Sequence, residues 1–141
     1  MNQADIIERY LSLIADPSAD VERIAELLDD DMRFVERPNL VNPRGSTRDV
    51  AQLLASVAHG RQLLKAQRFD IVDHVVAGDT IATRVVWTGT PAVDAPPFRA
   101  GSCLRADSFM HFTLRDGRIA NQENYDCFYP HDGADAERER R

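Results

Sequence analysis

The chain has 141 residues, enough for one hydrophobic core of ordinary size and too few for two. Hydrophobic residues make up 43% and charged residues 28%, which is typical of a globular protein, and no apolar run approaches the roughly 20 residues of a membrane-spanning helix. With a net charge of -6 and scattered basic residues, the chain would repel phosphate backbones, so we expect neither a nucleic acid nor a membrane as a partner.

The N-terminus and the cysteines indicate the cellular compartment. The first ten residues are acidic and amphipathic, whereas a secretory signal has basic residues followed by an uninterrupted apolar stretch. Cys103 and Cys127 lack the spacing of a metal site, and we expect two reduced thiols, with a disulfide as the alternative. The sequence therefore predicts a cytoplasmic protein without a metal site.

Apolar residues at helical spacing predict two helices in the first 31 residues. The first helix covers residues 2–15 and stops at Asp16-Pro17; its buried stripe comprises Ile6, Tyr10, Leu13 and Ile14. Asp20 can cap a second, short helix that ends at the acidic run 29–31; its apolar face comprises Val21, Ile24, Leu27 and Leu28.

A short strand and a third helix follow. Residues 32–37 are too few for a helix, alternate Phe34 with Val35 and are closed by a proline, so they read as a strand. After a loop, Ser46 and Asp49 resemble a capping box, which predicts a helix from that point with Gly60 as its C-terminal cap. The buried stripe of this helix comprises Val50, Leu53, Leu54 and Val57.

The period changes to that of strands from Leu63 onward. β-Branched and aromatic residues from 69 to 76 and from 81 to 87 flank a turn at 77–79 and predict a long hairpin. The proline-rich segment 91–101 is too irregular for a strand, and we interpret it as a mobile rim of a site.

Asp116-Gly117 predicts a tight turn between two last strands, 104–114 and 119–128. If Arg115 pairs with Arg118, the register opposes His111 to Gln122, Phe109 to Asn124 and Asp107 to Asp126, all on one face with Arg105. The other face is mainly apolar and holds Leu104, Met110, Phe112, Leu114, Ile119, Tyr125 and Cys127. A bulge in either strand would break this register.

The order of these elements, with the runs IATRVVWTGT, FTLRDGRI and NYDCF, resembles the NTF2-like superfamily over about residues 5–129. Within it, the chain is most similar to the SnoaL-like branch, which includes polyketide cyclases and limonene epoxide hydrolases. The resemblance implies an α+β, cone-shaped fold with three N-terminal helices packed on a curved, mainly antiparallel sheet that encloses a pocket. It also implies no metal or cofactor, and a homodimer. The length predicts one domain, over 1–130, and the polar, mixed-charge composition of 131–141 predicts a flexible tail.

The resemblance also implies positions for a site. Enzymes of the branch carry an acid or base aspartate five residues after the isoleucine of G-x-I, where this chain has Asn124. The epoxide hydrolases use an Arg-x-Asp pair, but here Arg84 is followed by two valines, so their mechanism is not expected. Their pocket tyrosine and asparagine on the early strand correspond best to Phe34 and Glu36.

Three carboxylates are candidate acids or bases, because an apolar pocket raises the pKa of a carboxyl group toward neutrality. Asp126 ranks first, since it shares a strand face with Asn124; Glu36 and Asp107 follow. Asp126 could instead be a solvated or salt-bridged residue, and its opposition to Asp107 could be a wrong register. His111, ranked above His74, could move protons, although a histidine on a strand is more often a packed or surface residue.

Two functions remain in competition at this point. In the first, a cofactor-independent cyclase, isomerase or hydratase acts on a small hydrophobic carbonyl compound, with Asp126 or Glu36 moving the proton. The candidate substrate-binding residues are Asn124, Arg84, Tyr10, Phe34, Phe109, Gln122 and Trp87, although the aromatic ones could simply belong to the core. In the second, the chain is a non-catalytic ligand-binding or dimerisation module.

Overall fold

The structure is a computed structural model that describes residues 1–95 and 98–129. These residues contain three helices: α1 (Gln3–Ala15), α2 (Glu22–Ala25) and α3 (Val50–Leu63). They also contain six strands: β1 (Leu28–Glu36), β2 (Ser46–Arg48), β3 (Leu64–Ala77), β4 (Thr80–Pro91), β5 (Leu104–Arg115) and β6 (Arg118–Phe128). The predicted α+β class is confirmed. Of the three predicted helices only two are long, and α3 follows two strands instead of preceding the sheet.

All six strands form one curved, mostly antiparallel sheet in the order β2-β1-β6-β5-β4-β3, in which β1 and β6 run parallel. α1 and α3 pack against one face, which we call the inner face; the opposite face is the outer face. Side chains that alternate along β4 and β5 supply the core on the inner face. At its centre the buried rings of Tyr10 and Phe112 meet edge to face, 6.1 Å between centroids.

The N-terminal segment differs from the prediction after α1. Asn2 and Asp5 form a capping box, so α1 begins where the helical pattern begins. The second helix is only four residues long. The predicted continuation of its apolar face to Leu27 and Leu28 is wrong, because the helix ends at Ala25 and Leu28 already starts β1. The acidic run 29–31 therefore lies in an irregular part of the strand, between Leu28 and Arg33, which both pair with β6; these flanking pairs and the burial of Met32 outweigh the poor strand propensity of aspartate.

The third helix also begins and ends elsewhere than predicted. Its N-cap is Asp49, which forms the capping box with Gln52, whereas Ser46 lies in β2 and pairs with Glu36. The helix continues through Gly60 to Leu63, so the predicted glycine cap is wrong. Gly60 does not adopt the positive φ that a C-terminal cap requires.

The predicted turn of the last hairpin is present, but its register holds only near the turn. Asp116 and Gly117 have φ values of 52° and 76°, and Arg115 pairs with Arg118. Ala120 is then an extra residue that shifts the pairing. The predicted pairs of His111, Phe109 and Asp107 are consequently wrong. Their β6 partners instead pair as Phe112 with Gln122, Met110 with Asn124 and Ser108 with Asp126.

The other predicted features are described in part. β3 and β4 form the predicted long hairpin around Gly78. In the proline-rich segment Ala95 pairs with Phe98, while residues 96 and 97 and the predicted tail 131–141 lie outside the described residues. Cys103 is half-buried and Cys127 is exposed. Among the described residues, no helix combines the length and the apolar character needed to cross a membrane.

Candidate functional site

The bulge at Ala120 turns the polar side chains of β6 toward the inner face. Ile119 and Ala120 are both buried, and after them Gln122, Asn124 and Asp126 alternate inward while Glu123 points outward. Gln122 is 2% exposed and Asn124 7% exposed. Two amides and a carboxyl group therefore lie among core residues, where each needs a hydrogen-bond partner.

These three side chains and Tyr10 form one line of hydrogen bonds, which we call the polar chain. The buried Tyr10 hydroxyl, from α1, donates to Gln122 Oε1 at 2.6 Å. Gln122 Nε2 donates to Asn124 Oδ1 at 2.9 Å. The Asn124 amide in turn hydrogen-bonds to Asp126, which also accepts a hydrogen bond from Ser108 Oγ at 2.5 Å. A helix hydroxyl is thus linked to a strand carboxylate through two amides.

The environment of Asp126 raises the pKa of its carboxyl group above the ordinary aspartate value. Burial is the largest influence and raises the pKa of this carboxyl group, and the negative charge of Glu36 raises it further. Hydrogen bonds from Ser108 and Asn124 act in the opposite direction without cancelling the rise. A carboxyl group with a raised pKa can exchange protons near neutral pH, which a solvated aspartate does poorly.

Asp126 faces a cavity of about 130 Å³ on the inner face. Its wall is lined by Phe69, Trp87, Ala106, Ser108, Met110, Asn124, Asp126 and Phe128. The Trp87 indole donates to Gln67 Oε1 at 3.1 Å and packs edge-on against Phe128, 5.9 Å between ring centroids. The cavity therefore combines a mainly apolar wall with one carboxyl group and two hydrogen-bonding side chains.

Glu36 lies beside the cavity as a paired carboxylate. It is adjacent to Asn124 across the parallel β1–β6 pair. Arg48 Nη1 lies 3.1 Å from Glu36 Oε1, and Asn39 Nδ2 donates to Oε2 at 2.8 Å. The Arg48 guanidinium also stacks on the ring of Phe34, 5.8 Å from its centroid. Both carboxylate oxygens of Glu36 thus have a hydrogen-bond partner, and the contribution of Glu36 to the site is the effect of its charge on the pKa of Asp126.

Four of the predicted site residues lie on the outer face. Arg84 forms a two-pronged ion pair with Asp73, with N–O distances of 3.0 and 2.9 Å. Asp107 accepts hydrogen bonds from Arg105 and from the Tyr129 hydroxyl. Phe109 and His111 alternate with the buried residues of β5 and point the same way as Asp107. The sheet separates all four from Asp126.

The structure brings together the remaining predicted residues, namely Asp126, Asn124, Gln122, Tyr10, Phe34, Glu36 and Trp87. Sequence reasoning missed Ser108, Met110, Phe69 and Phe128, because the predicted register placed Ser108 away from Asp126. One signal was available in the sequence: the consecutive apolar residues Ile119 and Ala120 break the alternation at the bulge. The described residues contain no cluster of three or more potential metal ligands.

Comparison with known proteins identifies the fold family. The sequence profile of the SnoaL-like domain matches residues 7–122. None of the curated proteins matches the sequence significantly.

Solved structures share this fold at low sequence identity. IdmH from Streptomyces antibioticus, a proposed polyketide cyclase, is 24% identical with a TM-score of 0.74; the match covers 89% of this chain and 92% of IdmH. A proposed polyketide cyclase from Acidithiobacillus ferrooxidans is 18% identical with a TM-score of 0.70, and the match covers 89% and 91% of the two chains. A protein from Catenulispora acidiphila with a ketosteroid isomerase-like fold, in complex with trimethylamine, is 15% identical with a TM-score of 0.70 and coverage of 88% and 86%.

Proposed function

The chain belongs to the SnoaL-like domain family of the NTF2-like superfamily, and we propose that it is a cofactor-independent enzyme that moves a proton on a small hydrophobic carbonyl compound. One observation carries this proposal: a half-buried carboxyl group with a raised pKa, Asp126, faces an apolar cavity beside a side-chain amide donor. The proposed polyketide cyclases among its structural neighbours are consistent with such chemistry.

In the proposed reaction, the ionised Asp126 carboxylate removes a proton from the carbon next to the substrate carbonyl. The electrons of the broken C–H bond form a C=C bond, and negative charge develops on the carbonyl oxygen. The Asn124 Nδ2–H group stabilises this charge by hydrogen bonding, while Ser108 holds the carboxyl group in place. The protonated Asp126 then returns the proton to a different atom, which gives an isomerised or cyclised product without a cofactor.

The proposed substrate is small or enters with a movement of the cavity wall. A cavity of about 130 Å³ has the volume of roughly four water molecules at ~30 Å³ each, below the ~300 Å³ of a typical ligand pocket. The cone-shaped pocket that the family implies would form if Trp87 and Phe128, which close the wall, turned away from it. We therefore expect a ketone as small as acetone to bind without rearrangement of the wall, and a cyclic ketone to bind only when the wall moves.

Exchange of the α-protons of acetone for solvent deuterium, followed by ¹H NMR, tests this proposal without requiring the natural substrate. We expect the protein to accelerate exchange and Asp126→Asn to reduce the acceleration by about 10²–10⁴-fold. Asp107→Asn is the matched control, because it removes the same charge from the outer face. Equal exchange rates for the wild type and Asp126→Asn would exclude Asp126 as the base.

A second candidate function, a dimerisation module, is favoured by the outer face. Phe109 and Tyr125 are 43% and 45% exposed and line a shallow groove of about 390 Å³ with Val72. Isolated apolar residues are common on surfaces, but neighbouring aromatic residues on an open sheet face suit a second copy of the chain. Sedimentation velocity tests this proposal: the wild type should sediment as a homodimer and Phe109→Arg as a monomer. A monomeric wild type would exclude it.

A further inference from the structure

We propose that Tyr10 and Gln122 are positioning residues that fix the direction of the Asn124 amide, so that its Nδ2–H group faces Asp126 and the cavity. A side-chain amide has a donor end and an acceptor end of nearly equal size, so packing alone does not select its direction. The inference rests on the proposed function for its significance, since that proposal assigns the chemistry to Asn124 and Asp126. Its evidence is the hydrogen bonding of the polar chain.

The two ends of the polar chain have fixed roles. At one end, the ionised Asp126 carboxylate can only accept hydrogen bonds. At the other end, burial raises the pKa of Tyr10, so that its hydroxyl keeps its proton and donates to Gln122 Oε1. Tyr10 is fully buried and Gln122 is almost so, and neither can exchange its partner for water.

The direction passes from one amide to the next. Because Tyr10 occupies Gln122 Oε1, Gln122 must present its Nε2 group to Asn124. Asn124 then accepts through Oδ1 and presents Nδ2 to Asp126. Reversal of Asn124 would place its Oδ1 against the Asp126 carboxylate and its Nδ2 against Gln122 Nε2. Two acceptors would then face each other at one contact and two donors at the other, which is unfavourable in a buried site.

This direction selects the class of ligand. Nδ2 carries two hydrogens, of which one serves Asp126 and the other is available to a ligand in the cavity, whose wall includes Asn124. A ligand atom next to Asn124 must therefore be a hydrogen-bond acceptor, such as a carbonyl oxygen, and not an amine or a hydroxyl donor. Four aromatic or apolar side chains of the wall, Phe69, Trp87, Met110 and Phe128, suit the hydrocarbon part of such a compound.

The pKa of Asp126, measured without any ligand by ¹³C NMR of its carboxyl group, tests the inference. Tyr10→Phe removes the donor that fixes Gln122, so Asn124 should no longer be held toward Asp126 and the pKa of Asp126 should rise by about 0.5–1. Thr83→Val is the control, since it removes another buried hydroxyl, one that contacts His74 outside the polar chain. Glu36 and its partner Arg48, the charged groups nearest to Asp126, are unchanged in both variants.

An unchanged or lowered pKa of Asp126 in Tyr10→Phe, or an equal rise in Thr83→Val, would overturn the inference. If Tyr10→Phe does not fold, Gln122→Met interrupts the polar chain one residue later and should raise the same pKa. The test is independent of catalysis. If Tyr10→Phe raises the pKa of Asp126 but Asp126→Asn still exchanges ketone protons as fast as the wild type, the inference stands and the proposed function falls. If Tyr10→Phe leaves the pKa unchanged but Asp126→Asn loses the exchange activity, the proposed function stands and the inference falls.

Discussion

Gly89 is the position where adding one methyl group should disturb the cavity wall most. A Cβ atom at Gly89 would lie 2.5 Å from Cη2 and 2.6 Å from Cζ2 of Trp87, whereas ordinary contacts begin at 3.4 Å. The indole would therefore have to move by about 0.9 Å, the difference between 3.4 and 2.5 Å. Its hydrogen bond to Gln67 and its contact with Phe128 oppose that movement. Overpacking of this kind costs about 1–3 kcal/mol.

Urea denaturation of Gly89→Ala measures this cost, and Gly60→Ala is the matched control. Gly60 lies inside α3 with no atom within 4 Å of a new Cβ, so alanine there should stabilise the protein by up to about 1 kcal/mol. Trp87 is the single tryptophan of the sequence, and its fluorescence should change in Gly89→Ala only. If Gly89→Ala is as stable as Gly60→Ala with unchanged fluorescence, the packing of Trp87 on Gly89 is refuted.

Three further predictions concern stability. Because the pKa of Asp126 is raised in the folded protein, the wild type should lose stability relative to Asp126→Asn as pH rises from the ordinary aspartate pKa to the raised one; parallel pH–stability curves would contradict this. Asp49→Ala should cost about 1 kcal/mol in thermal or urea unfolding, because it removes the cap of α3, whereas Ser46→Ala should cost much less; equal costs would contradict the assignment of the cap. Arg61→Met should cost about 2–3 kcal/mol in urea unfolding, since the guanidinium donates to backbone carbonyls of Leu13 and Ala19; a neutral variant would show that these hydrogen bonds contribute little.

The sequence predicted the elements better than their pairing. Hydrophobic periodicity located α1 and the β3–β4 hairpin, and Asp116-Gly117 located the last turn, because these signals are local. The lengths of α2 and β1 were not predictable locally. Residues 29–31 have low strand propensity, and the β6 partners of the flanking residues Leu28 and Arg33 lie about 90 positions away.

From the sequence, the candidate residues of the last two strands were predicted to lie on one face of the sheet, whereas the structure divides them between the two faces. The single extra residue, Ala120, exchanges the faces of all later β6 residues, which moves Asn124 and Asp126 inward. Polar residues at buried positions also run against the usual pattern, which is why Tyr125 and Cys127 were assigned to the mainly apolar face, although both are exposed. The hydrogen bond from the Tyr10 hydroxyl to Gln122 shows how β6 accommodates polar side chains on its buried face.

The parallel pairing of β1 with β6 has a consequence for synthesis of the chain on the ribosome. Leu28 pairs with Ile119, which is synthesised 91 residues later, so the middle of the sheet cannot form until β6 has been made. Until β6 emerges, β1 and β5 each carry an unpaired edge, a state prone to association with other nascent chains. We expect ribosome-bound chains arrested before residue 118 to be cleaved readily by protease within β1, and chains arrested well beyond β6 to resist. Early resistance of β1 would show that it finds another partner first.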